Sequence, residues 1–184
     1  AAVRTLIEQR KYRLAAKELS DFALKQPLST ALIRLSNRLS LTASFYPDLP
    51  EPVNTFDRNL VAALRGFLYG GDRIAMLHLS YALSMKPEDA LLLHYAEEIE
   101  KAVGLKADRI SSDHPRGFID ELLYRVEFAH TRGDQGRVET LLNDIIELEP
   151  NSVTALERLG SVRYLTGRYL EANPIWEAAL KLAT

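Results

Sequence analysis

Three pairs of residues constrain what this chain can fold into: Gly133 and Gly167, Val138 and Ala172, and Leu142 and Trp176 each stand 34 residues apart. No single helix or strand has such a period, so the recurring object is a supersecondary unit. Within each copy, apolar residues fall at three- and four-residue intervals, which places them on one face of a helix. Leu122, Val126 and Ala129 lead into a Gly133-Asp134 turn, and Val138, Leu142 and Ile145 follow it as far as Pro150. In the next copy Leu156, Leu159 and Gly160 precede Gly167, and Tyr169, Ala172, Trp176 and Ala179 follow. Small residues at Gly160, Ala172 and Ala179 let paired helices approach closely, while large ones fill the gaps between them.

The run Leu159-Gly160, the turn Gly167, Tyr169-x-x-Ala172, Trp176 and Ala179 resembles a tetratricopeptide repeat, a helix-turn-helix unit of about 34 residues. The resemblance implies an all-α fold in which antiparallel helix pairs stack as a short right-handed solenoid, a single helical-repeat domain over 1–184. Its best-defined repeats cover 118–184. Counting back from Pro87 gives a weaker copy, with Gly70 at the turn, Ala75 and Ala82 at the small sites and Leu79 at the large one. Counting back from Pro27 places Tyr12, Ala15, Leu19 and Phe22 on the packing face of a second helix. Residues 1–9 are then the tail of a first helix, as if an array began further upstream.

Two stretches interrupt the pattern. The connector 43–55 contains Pro47, Pro50 and Pro52, and proline removes a backbone donor and clashes with the preceding turn. Core packing is the stronger reading of its aromatic pair, Phe45 and Tyr46, over ligand binding. The second connector, 104–117, has room only for a short helical segment within 106–111. Further helices are predicted over 30–41, over 56–68 with Asn54 or Thr55 as cap, over 74–85 with Asp72 as cap, and from Glu88-Asp89 to Val103. Asn151-Ser152 should cap the first helix of the final pair.

Composition bounds the function classes. With 47% hydrophobic and 26% charged residues, the 184-residue chain has the balance of a folded, soluble protein. No run approaches the roughly 18 apolar residues of a membrane span, so direct membrane insertion is not expected. The opening AAVRTLIEQR is too polar for a signal peptide. Absence of cysteine excludes disulfides and thiolate chemistry but leaves the cytoplasm and a bacterial periplasm both open. Residues 1–40 hold eight Arg/Lys against three Asp/Glu, and the remainder fifteen against twenty-two. That basic start can steer an acidic partner, or it is simply a solvated face. With no nucleic-acid motif, nucleic acid is not expected as a partner.

Chemistry-bearing motifs are missing: no phosphate-binding glycine loop, nucleophile elbow or paired-histidine metal helix occurs. His78, His94, His114 and His130 fall on separate elements. Glu97, Glu98 and Glu100 read as a solvated helix face beside Lys101, and Ser111-Ser112 near His114 shows no orienting group. No enzyme activity, cofactor or metal is expected.

Binding is the remaining class. In the resembling family, first-helix side chains line the concave surface. That implies a partner groove of Leu123, Glu127, His130, Glu157, Ser161 and Tyr164, with earlier contributions from Arg34 and Arg38 and a mixed patch of His94, Glu98 and Lys101. The basic and asparagine clamp by which some members hold a peptide carboxylate is not matched, since Glu127 and Ser161 occupy the corresponding positions. The expectation is a noncatalytic scaffold for a protein or peptide within a larger assembly. The alternatives are a structural or homo-oligomerisation module and, more remotely, carbohydrate binding.

Overall fold

A computed structural model describes residues 2–27, 29–110 and 117–183. Among these residues there are ten helices and no strand. They are α1 Ala2–Glu8, α2 Tyr12–Ala23, α3 Thr30–Phe45, α4 Thr55–Tyr69, α5 Asp72–Met85, α6 Ala90–Val103, α7 Phe118–Thr131, α8 Gln135–Leu148, α9 Val153–Leu165 and α10 Tyr169–Ala183. The chain divides into two compact units, Ala1–Arg109 and Ile110–Thr184, with the division inside the irregular 104–117 stretch. The Ser111-Ser112 and His114 readings lie outside the described residues.

In the first unit, α1 to α6 close around Tyr12, Leu39, Leu64, Phe67, Leu79, Leu92, Tyr95 and Ile99, all fully buried or nearly so. Gly66 lies directly on the Ala75 backbone, where an added Cβ would sit 3.1 Å from the Ala75 nitrogen. The two deepest polar groups satisfy each other, Thr42 Oγ1 and Tyr95 Oη lying 3.0 Å apart. Phe45 and Tyr46 both pack on the Tyr95 ring, at 5.3 and 5.1 Å between centroids, so the aromatic pair belongs to the core. The reason is that α3 runs four residues past its predicted end and carries Phe45 inward.

Four hairpins turn through the left-handed backbone region at one register position. Arg10, Gly70, Gly133 and Gly167 have φ of 60°, 83°, 71° and 80°, and Pro27, Pro87 and Pro150 each lie seventeen residues beyond the first three. Glycine suits this conformation because it has no Cβ to collide with the carbonyl. Arginine does not. Its side chain is instead held by the Pro-rich connector: Nε donates to the Pro50 carbonyl at 3.0 Å, and the guanidinium pairs with Glu51. The connector answers with Leu49 N donating to the Arg10 carbonyl at 3.1 Å.

The expected cap Asn54 accepts from Asp57 N at 2.8 Å through its side chain, and α6 ends at Gly104 with φ 73°. Others are used differently. Asp72 is the first residue of α5 rather than its cap, and its carboxylate receives Arg38 from α3. Ser152 stands at the cap of α9 without a side-chain hydrogen bond. The helical segment expected within 106–111 is absent over its described part, 106–110.

A buried acid accounts for that absence. Glu100, read from sequence as part of a solvated face, has its side chain only 3% exposed. It accepts from Lys106 Nζ at 3.0 Å, the Ala107 amide at 3.0 Å and Arg109 Nη2 at 3.1 Å. Asp108 N donates to Ser80 Oγ on α5 at 2.7 Å. Side-chain capture of successive amides thus holds 106–109 as an extended strap where a helical ladder would have needed them.

In the second unit, α7 packs on α8, α8 on α9 and α9 on α10. The α9–α10 hairpin is antiparallel: Tyr164 meets Tyr169 at the turn, while Gly160 and the Glu157 carbonyl meet Trp176 further along. The indole lies flat against the Gly160 backbone and donates Nε1–H to the Glu157 carbonyl at 3.2 Å. Ala172 and Ala179 are buried at the small sites. Pro174 sits inside α10 and cannot bond the carbonyl of Leu170, a residue that is itself 91% exposed.

Three outcomes follow for stability. A Cβ at Gly160 would fall 2.5 Å from Trp176 Cδ1, so Gly160→Ala should cost about 1–3 kcal/mol in urea unfolding. Gly136→Ala, at an exposed α8 position with room for a methyl, should be neutral or stabilising by up to about 1 kcal/mol. For Glu100, burial pushes the pKa up, but hydrogen bonds from Lys106 and the Ala107 amide, with the Arg109 and Lys106 charges, outweigh it and leave it lowered. A lowered folded pKa means stability present above the ordinary glutamate range and lost as pH falls through the folded value. Glu100→Gln should therefore cost about 1–3 kcal/mol at neutral pH, and the gap from wild type should close in acid; a gap independent of pH would refute the assignment.

Candidate functional site

The α7, α8 and α9 helices enclose a groove of about 310 Å3. Val138 and Leu142 of α8 form its floor, Val126 of α7 and Val162 of α9 its walls, and Glu127, His130, Arg158 and Ser161 its polar rim. The 3.6-residue helical repeat explains the division. Val126, Val138, Leu142 and Val162 are buried on the packing faces, while Glu127, His130 and Ser161 are exposed beside them. A shallower depression of about 340 Å3 continues along Asp120, Leu123 and Tyr124, sharing Glu127 and Arg158 with the first.

One ion pair spans the two walls: Arg158 Nη1 on α9 donates to Glu127 Oε1 on α7 at 2.5 Å. Its side chains are 41% and 55% exposed, so water competes for both partners and the bridge contributes little to stability. The groove thus presents a cation and an anion on opposite walls above an apolar floor, and exchanging that bridge for a ligand's charges costs little.

Of the residues expected from sequence, Leu123, Glu127, His130 and Ser161 line these two depressions. Glu157 and Tyr164 do not. The Glu157 carbonyl is taken by Trp176 and by Ser161 Oγ at 2.9 Å, and Tyr164 packs against Tyr169 and Trp176 at 4.8 and 5.4 Å. Arg158 follows the expected Glu157 directly, and one residue along a helix turns the side chain by about 100°, which puts Arg158 rather than Glu157 at the groove. The only available signal was the 31-residue interval that sets Arg158 opposite Glu127.

The remaining expected residues belong to the first unit. Arg34 is exposed on α3. Arg38 is spent within the fold: its guanidinium pairs with Asp72 at 2.6 and 3.2 Å, donates to the Phe67 carbonyl and lies 4.7 Å from the Phe67 ring centroid. His94 stands edge-on to Phe45 at 5.0 Å. Lys101 donates to Glu98 at 2.6 Å, a hydrogen bond that holds the Glu98 carboxyl below the usual carboxylate range and raises the lysine. No group of three or more histidines, cysteines, aspartates or glutamates placed to hold a metal ion occurs among the described residues. Among them too, no helix is long and apolar enough to cross a membrane.

A second cluster fixes the α9–α10 turn rather than a ligand. Glu139 of α8 accepts from Arg163 at 3.3 Å and from Arg168 at 2.5 Å. The Arg168 hydrogen bond outweighs burial and lowers the Glu139 pKa, while that of Arg168 is raised. Family models, curated proteins and solved structures were all compared with the chain, and none matches it.

Because the Glu127–Arg158 bridge is half-exposed, Glu127→Ala and Arg158→Ala should each cost less than about 1 kcal/mol in thermal unfolding. A larger loss would show the bridge to be a structural fastener and disqualify these variants as binding probes.

Proposed function

We propose that this chain is a noncatalytic protein- or peptide-binding scaffold of the tetratricopeptide type, with its helix pairs stacked as a solenoid. The observation that carries the reading is the groove between α7 and α9, the first helices of two successive pairs that share one 34-residue register. Repetition of a helix pair leaves such a channel between consecutive first helices, floored by the second helix of the earlier pair. Its apolar floor offers anchorage for a partner's aliphatic side chain, and Glu127, His130, Arg158 and Ser161 set its orientation.

The test is crosslinking and affinity mass spectrometry on the native, full-length protein, comparing wild type with a combined Glu127→Ala, His130→Ala and Arg158→Ala variant. Crosslinks should fall on α7 and α9, and the captured partner should be lost from the variant while its thermal unfolding stays within a few degrees. Retention of the partner by a folded variant would sink this site.

A structural or self-association role has one observation in its favour. Leu165, Leu170 and Leu180 are 79%, 91% and 67% exposed on or beside the last helix. If they join copies, light scattering should show a mass that rises with concentration and falls on Leu170→Asp substitution.

A further inference from the structure

Apolar packing holds most of the first unit together, but the strap and the Leu105 before it are held otherwise. Ala107 is the buried side chain of this segment, and it contributes a single methyl group. Leu105, Lys106, Asp108 and Arg109 are exposed. The hold is polar and converges on two side chains. Glu100 on α6 takes the Lys106 ammonium at 3.0 Å, the Ala107 amide at 3.0 Å and the Arg109 guanidinium at 3.1 Å. Ser80 on α5 is buried; its hydroxyl donates to the Met76 carbonyl of its own helix and accepts from the Asp108 amide.

The receiving helix is finished before the segment begins. Gly104 closes α6 by donating its amide to the Glu100 carbonyl at 2.9 Å, so the helix end is satisfied without the strap. Lifting the strap brings water to the Glu100 carboxylate and the Ser80 hydroxyl, and neither is stranded as a buried group without a partner. It therefore uncovers one methyl group and exchanges the hydrogen bonds just named for bonds to water. Unfolding α5 or α6 instead uncovers Leu79, Leu92, Tyr95 and Ile99, all fully buried. The two openings differ widely in cost, and the strap is the cheaper.

We propose that residues 105–109 form a latch that opens as a unit about Gly104 while the helices of the first unit stay folded, with the Glu100 carboxylate as its catch. The segment ends where the first unit ends, at Arg109. Closed, it belongs to that unit. Open, its residues pass to the connection between the two units and add at most about 18 Å of extended chain. One buried carboxylate thus sets the length of the tether.

The test is native-state hydrogen exchange on the full chain, read at single amides by NMR. The Ala107 and Asp108 amides should exchange through an opening that urea hardly changes, and faster than the Tyr95 and Ile99 amides, which wait on unfolding of the unit. Glu100→Gln should speed the two strap amides by at least about tenfold, since a hydrogen bond to a charged group is worth that much or more. Trypsin cleavage after Lys106 should rise in proportion, because it follows the open population. Lys106→Gln with Arg109→Gln, both at exposed positions, should speed the same amides and decides the matter if Glu100→Gln does not fold. Strap amides that exchange together with Tyr95 and Ile99 and share their urea dependence would overturn the proposal, as would an unchanged strap rate in either folded variant.

Discussion

Reversing a helix within three residues demands one residue in the left-handed region, and the architecture of both units depends on that demand being met. Where Gly70, Gly133 and Gly167 meet it, the two helices of a hairpin come back in register and their small residues face their large ones. The close approach then decides the rest. Gly66 against the Ala75 backbone and Gly160 against Trp176 leave no space for alternatives, so the apolar faces interlock in one alignment. Polar residues are left on the outer stripe, where they form the rims of grooves rather than cores.

What the sequence made legible was most of what neighbours along the chain govern, the silent Ser152 cap aside. Helix spacing, glycine turns, the Asn54 cap and the small sites at Ala75, Ala82, Ala172 and Ala179 are local signals, and the structure uses them as they read. The misread residues take their roles from distant partners. Asp72 has the chemistry of a cap but serves Arg38 from another helix, and Glu100 looks solvated until the 106–109 strap covers it. The site follows the same division. Leu123, Glu127, His130 and Ser161 are what the resemblance implies through its first-helix positions, while Arg158 enters through a bridge between helices.

The largest depressions of the two units share one charge pattern. In the second unit the Glu127 and Arg158 rim charges answer one another across the groove, so its field is short-ranged and close to neutral. In the first, which holds a cavity of about 420 Å3 between α1, α2 and α3, Arg4 and Lys25 share the lining with Glu18 and Asp21. Opposite charges again stand in equal number, and their combined field fades within about the Debye length, some 8–10 Å in physiological salt.

Arg10 carries a consequence for the order in which the molecule assembles. Among the described residues its turn is the one left-handed position without a glycine, and the contacts that hold it there come from Pro50 and Glu51, some forty residues away. An isolated α1–α2 segment therefore lacks the groups that make its own corner favourable. The α4–α5 hairpin, with Gly70 at its turn, has no such dependence. Hairpins whose stabilising contacts are local close early, and those that wait on long-range contacts close late, since loop-closure entropy must be met first. Although α1 and α2 lead the chain, they are expected to be the last pair of the first unit to lock.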